Sequence, residues 1–213
     1  MDRVLMRLRD KSTEIRGIVL RKLVGEKYPL DSTNPFQRYR LLYDGYGNKE
    51  SSVQQDTIKL FLKYFEEIDP KAVFYNFVNL FEPHILLAHP HLYTLFDLLV
   101  MDLIEEMPIN FLSDFIRKFT SELRAIGKGG VVSGFLYELI WLKNIGRSEN
   151  SDLRALFDES VPSGMELARI LSELVKREDI FSIYECLQLF SLQRSADEIG
   201  RNKMFESLKR MVS

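Results

Sequence analysis

An all-α chain is predicted, folded over residues 1–213 as a HEAT-like α-α superhelix, a helical-repeat solenoid. Three observations predict it. Apolar residues recur at helical spacing along almost the whole chain, and strand-like alternation is scarce. A segment recurs after 38 residues. Glycine, proline and short polar runs fall between the apolar stretches, where helices must stop. A repeat of this length is close to the ~40–47 residues of HEAT-type units, in which helix pairs bury one stripe each and stack on their neighbours. Solenoids of that kind are binding surfaces far more often than enzymes.

The recurrence pairs RDKSTEIRGIVLRKL, residues 9–23, with NKESSVQQDTIKLF, residues 48–61. Asp10 aligns with Asn48, Lys11 with Lys49, Ile15 with Val53, Arg16 with Gln54, Leu20 with Ile58 and Leu23 with Phe61. A polar turn thus opens twice onto the same apolar ladder. The repeats are clearest over 1–81 and blur beyond residue 80.

Element by element, the periodicity predicts helices near 2–9, 12–25, 34–46, 50–67, 70–81, 84–88 and 90–106. Further helices are predicted near 109–125, 131–144, 150–157, 163–176, 179–192 and 196–212. Ser12 is placed to cap the second helix and Ser51 or Ser52 the fourth, because a side-chain oxygen there accepts a free N-terminal N–H. Asp69-Pro70 puts a cap ahead of a proline at the first helical position. Pro83, Pro90 and Pro108 mark breaks or first turns, since proline has no N–H to give inside a helix. GKGG at 127–130 reads as the clearest linker and a sub-boundary. NIGRSENSD at 144–152 and PSG at 162–164 read as further loops.

The 213 residues are 46% hydrophobic, enough for a substantial core. The net charge of −2 is unevenly spread. Residues 1–40 carry ten Lys/Arg against five acids, and the remainder is acidic. The single cysteine, Cys186, excludes an intramolecular disulfide and suits a reducing compartment; SIYECLQLF makes it a small core residue. No stretch approaches the ~18 uncharged apolar residues of a membrane span. MDRVLMRLRDK is too charged for a secretory signal, and Asp2, Asp10 and Glu14 argue against a transit peptide.

QRYRLLYDGYGNKESSVQQDTIKLFLKYF, residues 37–65, resembles a stretch of the HEAT-repeat condensin subunit of the G type, condensin complex subunit 3. In that family a Q-R-x-x-L-L-x-D-G-L-x-D-R motif leads into a V-R-x-A repeat helix. Gln37, Arg38, Leu41, Leu42, Asp44 and Gly45 match it. Asn48 and Lys49 stand where Asp-Arg is usual, and Gln54 replaces the repeat arginine. LRDKSTEIRGIVLRKL resembles the repeat just upstream. Near the other end, IYECLQLFSLQRSADEIGRNKMFESLKRMV is similar to an L-L-x-L-x-x-x-x-D-x-S-D-E-x-G-R-R-x-L run, through Leu187, Leu189, Ser195, Asp197, Glu198, Gly200 and Arg201. The two stretches fall in the family's order. Residues 70–180 match poorly, and family members are far longer, so a fragment or a reduced homologue is expected.

The resemblance implies a non-catalytic role in mitotic chromosome condensation, on nuclear chromosomes with or without a cytoplasmic pool. The expected partners are the kleisin subunit, an extended polypeptide, and the SMC-containing complex, whose SMC subunits hydrolyse ATP. With its kleisin such a subunit grips double-stranded DNA in a basic groove. No cofactor is expected: GKGG is not a G-x-x-x-x-G-K-[ST] phosphate loop. The alternative is a helical-repeat adaptor that binds protein without nucleic acid.

Candidate DNA contacts are Arg3, Arg7, Arg9, Lys11, Arg21 and Lys22, which would meet phosphates by charge with little base readout. Arg16 reads as structural. Arg201, Lys203, Lys209 and Arg210 form a second basic group. Candidate partner anchors are Tyr64, Phe74, Tyr75 and Trp141, aromatics of the type that seat an extended chain. Phe74, Phe77 and Phe81 form a helical stripe that reads as core. Glu82, His84, His89 and His91 are the only metal-like set, but they lack a ligand spacing such as H-E-x-x-H and read better as a turn between helices.

Overall fold

Short polar side chains fix where several helices begin. Ser12 Oγ accepts the Ile15 N–H at 3.4 Å and opens α2, Thr13–Gly25. Asn34 Oδ1 accepts the Gln37 N–H at 2.9 Å while Gln37 Oε1 accepts the Asn34 N–H at 3.1 Å. This reciprocal box, with Pro35 at the first helical position, starts α3, Pro35–Arg40. The computed structural model describes residues 2–26, 30, 33–66, 80–126 and 135–193, with 202, 205, 206 and 209. It is all-α: eleven α-helices and no strand among the described residues. Contacts divide the chain into two compact units, Met1–Met107 and Pro108–Ser213. The expected sub-boundary at 127–130, the Asp69-Pro70 cap and most of the helices expected at 70–81 and 196–212 lie outside the described residues.

The first unit begins with α1, Asp2–Leu5, which tightens into a 3₁₀ turn at Met6–Arg9. After α2 and α3 the chain widens into a π-turn at Leu41–Tyr46, where the Gly47 N–H reaches back five residues to the Leu42 carbonyl at 2.8 Å. Then follow α4, Ser51–Glu66, α5, Pro83–Ala88, and α6, Pro90–Glu106. Both Pro83 and Pro90 open helices rather than ending them, as a residue with no N–H is free to do in a first turn.

At the 38-residue offset two turns make the same local hydrogen bond. Asp10 Oδ1 accepts the Ser12 N–H at 3.0 Å, and Asn48 Oδ1 accepts the Glu50 N–H at 3.1 Å. Helices α2 and α4 start at equivalent positions and pack together, burying Leu20, Leu23, Ile58 and Phe61. The alignment fails at one rung: Ile15 is 38% exposed and Val53 fully buried. The reason is that α4 also packs on the π-turn and α6. Ser51 and Ser52 do not cap α4. Its first turn closes on the Glu50 carbonyl, and Ser51 is already helical. Phe81 centres an aromatic cluster, with Tyr39, Phe61 and Phe96 at ring distances of 6.1, 5.9 and 5.2 Å.

The second unit holds α7, Ile109–Ile126, α8, Phe135–Arg147, α9, Ser151–Ser160, α10, Gly164–Lys176, and α11, Ile180–Leu192. Residues 136–146 of α8 are all buried, as expected of a helix covered on every side by α7, α9 and α11. Two charges go into that core with it. Lys143 Nζ meets Glu185 Oε2 of α11 at 2.7 Å, both side chains almost wholly buried. Gly146 lets α9 come close: a Cβ there would stand 2.6 Å from Phe157 Cε2. Arg154 of α9 donates to the Gly146 carbonyl and, at 3.0 Å, to the Leu192 carbonyl, fastening the ends of α8 and α11. A second reciprocal box, Ser163 with Glu166, begins α10.

Candidate functional site

Charged and aromatic side chains of the first unit meet around Asp44. The box at Asn34 fixes the phase of α3, which places Phe36, Arg40 and Asp44 one turn apart on one face. Arg40 Nε donates to Asp44 Oδ2 at 3.1 Å, and its guanidinium lies 5.4 Å from the Phe36 ring centroid. Arg9 arrives from the 3₁₀ turn, and its Nε donates to both Asp44 oxygens at 2.8 Å. One carboxylate, 7% exposed, therefore holds two guanidinium groups. Among the described residues the terminal nitrogens of Arg9 and Arg40 make no further hydrogen bond.

These side chains line an open cleft of about 270 Å³. Phe36, Tyr39, Tyr43, His89, His91 and Leu92 complete its lining. Phe36 is 66% and Tyr43 49% exposed. Tyr43 meets the His91 ring edge-on at 5.6 Å, and His91 lies 6.0 Å from His89. The Tyr39 hydroxyl donates to the Glu82 carbonyl at 3.3 Å, and burial pushes its pKa up to about 12. A second depression of about 440 Å³ shares Arg9, Tyr43 and Asp44 with the cleft and is also lined by Arg16, Lys49 and Glu50.

Most of the sequence-predicted cations have acidic neighbours. Arg7 meets Asp10 at 3.2 Å, Arg9 meets Asp44, Arg21 meets Asp56 at 2.8 Å, and Lys22 meets Glu26 at 3.6 Å. Arg3 and Lys11 are exposed and have no ion pair among the described residues. Arg16 bonds within its own segment. It ties down the start of α2 by donating to the Asp10 carbonyl at 2.7 Å and to Thr13 Oγ1 at 2.9 Å. Of the partner anchors, Tyr64 is half-buried, and Phe74 and Tyr75 lie outside the described residues. Trp141 is fully buried, its ring 4.9 Å from Phe115, and offers a partner no surface.

The structure brings together Phe36, Arg40, Tyr43 and Asp44, which sequence reasoning does not single out as a site. Their signal is present in the chain as an F-x-x-x-R-x-x-x-D run at one-turn spacing. His89 and His91 stand out in the sequence only as metal-like residues. Among the described residues no group of three or more His, Cys, Asp or Glu is placed to hold a metal ion. Cys186 is buried in the second unit, and desolvation pushes its thiol up to about 12, far from the range of a reactive thiolate. No described helix is long and apolar enough to cross a membrane. Comparison with family models, with curated proteins and with solved structures found no match.

Proposed function

We propose that this chain is a non-catalytic HEAT-type scaffold of the condensin G kind, holding an extended kleisin segment on nuclear chromosomes. The observation that supports the reading is a matched pair of helices: 38 residues apart, they share the same turn before their first residue, pack on each other, and bury Leu20 and Leu23 as they do the aligned Ile58 and Phe61. Five of the six motif residues matched in this stretch, all but Arg38, have defined work in the fold. Gln37 closes the α3 box, Leu41 and Leu42 are buried, Asp44 gathers two arginines, and Gly45 lies against Thr57.

A role in gripping duplex DNA rests on fewer cations than the sequence count suggests. Arg9 and Arg21 are engaged by Asp44 and Asp56, which are largely buried. This engagement favours the second reading, a protein-binding adaptor without nucleic acid. A salt titration of duplex DNA binding, with and without a co-expressed kleisin segment, separates the two. DNA binding that appears with kleisin and falls steeply with salt supports the condensin reading. Kleisin binding alone leaves a scaffold, and failure of both removes the condensin assignment. The quadruple variant Arg3→Glu, Arg7→Glu, Lys11→Glu, Lys22→Glu spares the two arginines that serve the fold. It is expected to lower the salt slope by about 0.9 for each phosphate that is no longer neutralised. An unchanged slope removes the N-terminal patch.

A further inference from the structure

We infer that the Asp44 cleft is a receptor for one acidic side chain followed by an apolar one, presented by an extended segment of a partner protein. The inference rests on the reading of this chain as a protein-holding scaffold. Three observations carry it. Asp44 fixes Arg9 and Arg40 through their Nε atoms, and both arginines line the cleft, Arg9 with its side chain 60% exposed and Arg40 with 13%. A guanidinium held in this way offers a planar fork of N–H donors suited to a carboxylate. Two rings exposed well beyond what a core aromatic needs, Phe36 and Tyr43, line the same cleft, as does Leu92. Aromatic surface next to a fixed cation is the usual make-up of a binding anchor point.

Charge decides the class of occupant. Two arginines against Asp44 leave one net positive charge in the cleft, and Arg16 and Lys49 against Glu50 leave one more in the adjoining depression. That excess matches one or two carboxylates. A run of phosphates at every nucleotide asks for a longer row of cations. The two depressions lie side by side, sharing Arg9, Tyr43 and Asp44 in their linings, so an extended chain seated in one runs next to the other.

The test uses the full chain and three labelled probes followed by fluorescence anisotropy. One is a Gly-Ser peptide carrying Asp-Asp-Leu-Phe, the second carries Lys-Lys-Leu-Phe in its place, and the third is single-stranded oligo-dT. The acidic peptide is expected to bind at least roughly tenfold tighter than the lysine peptide. Phe36→Ala and Tyr43→Ala, at exposed positions that leave helix content unchanged by circular dichroism, are expected to weaken it by roughly tenfold. Equal binding of the two peptides, preference for oligo-dT, or indifference to both variants overturns the inference. Kleisin capture provides the separating arm. Capture that survives both variants, without acidic-peptide binding, overturns the inference and leaves the scaffold reading standing. Cleft-dependent peptide binding without kleisin capture supports the inference and removes kleisin as the partner.

Discussion

Lys143 and Glu185 sit where their chemistry argues against them, in a core lined by Leu, Ile and Trp side chains. Desolvation of two ions costs several kcal/mol each, and only a close contact such as their 2.7 Å approach offsets it. Removing one partner takes a close ionic contact away from a charge that stays in the core. Lys143→Met is therefore expected to destabilise the chain by about 3–5 kcal/mol, whereas Lys143→Met with Glu185→Leu is expected to be near neutral or stabilising. Urea unfolding of both variants checks this; equal losses in the single and double variants would refute it. Neither residue is identifiable from the chain. WLKN and YEC read as an apolar helix with a solvated charge, because nothing in a single helix tells that all its faces are covered. The Asp44 cluster is only half readable for a related reason. Phe36, Arg40 and Asp44 share a helical face in the sequence, but Arg9 reaches them from a turn 35 residues away from Asp44.

Among the elements, starts are more readable than interiors. Proline and an Asn or Ser followed three residues later by Gln or Glu mark α3, α6 and α10 in the bare sequence, because each supplies or spares an orphan N–H. The start of α4 is the exception, since two serines suggest a cap and the polar turn ahead of them supplies the entry instead. The π-turn leaves no mark on the spacing: LLYDGY keeps a pattern that an α-helix would also show. Helix approach is similarly hidden. At Gly146 the ring of Phe157 occupies the space of a side chain, so Gly146→Ala is expected to cost about 1–3 kcal/mol despite the higher helix propensity of alanine. A thermal melt tests it, and a stabilised variant would show that α9 yields without cost.

For the molecule as a whole, three buried acids in different places act in the same direction. Burial raises the pKa of Tyr39 to about 12 and of Cys186 to about 12. It raises that of Tyr46 as well, helped by the bond its hydroxyl donates to Asp102 at 2.7 Å. Each stays protonated in the folded chain while the unfolded chain ionises, near ~8.5 for cysteine and ~10 for tyrosine. Their contribution is fully present below those values and is lost as pH rises towards the folded ones, at roughly 1.4 kcal/mol per group per pH unit. Stability is expected to be flat from these groups up to about pH 8 and to fall steadily to pH 11, and Tyr39→Phe should lessen the upper part of the fall. Urea midpoints across that range test it; a midpoint that does not move would contradict it. The all-α class is readable at this scale because helical periodicity is carried by every segment. The division after Met107 is not, because Pro108 looks like any other helix break and the glycines at 127–130 attract more notice. The doubled turn ahead of α2 and α4 has one more consequence, for the order of folding. A first helical turn is the slow nucleus of a helix, and Asp10 and Asn48 each pre-bend the chain using only neighbours two residues away. Both helices can therefore form before they meet, and their docking closes a loop of modest entropy. The first unit is expected to refold from local contacts outward and fast for its size, which stopped-flow refolding checks; a slow single phase would contradict it.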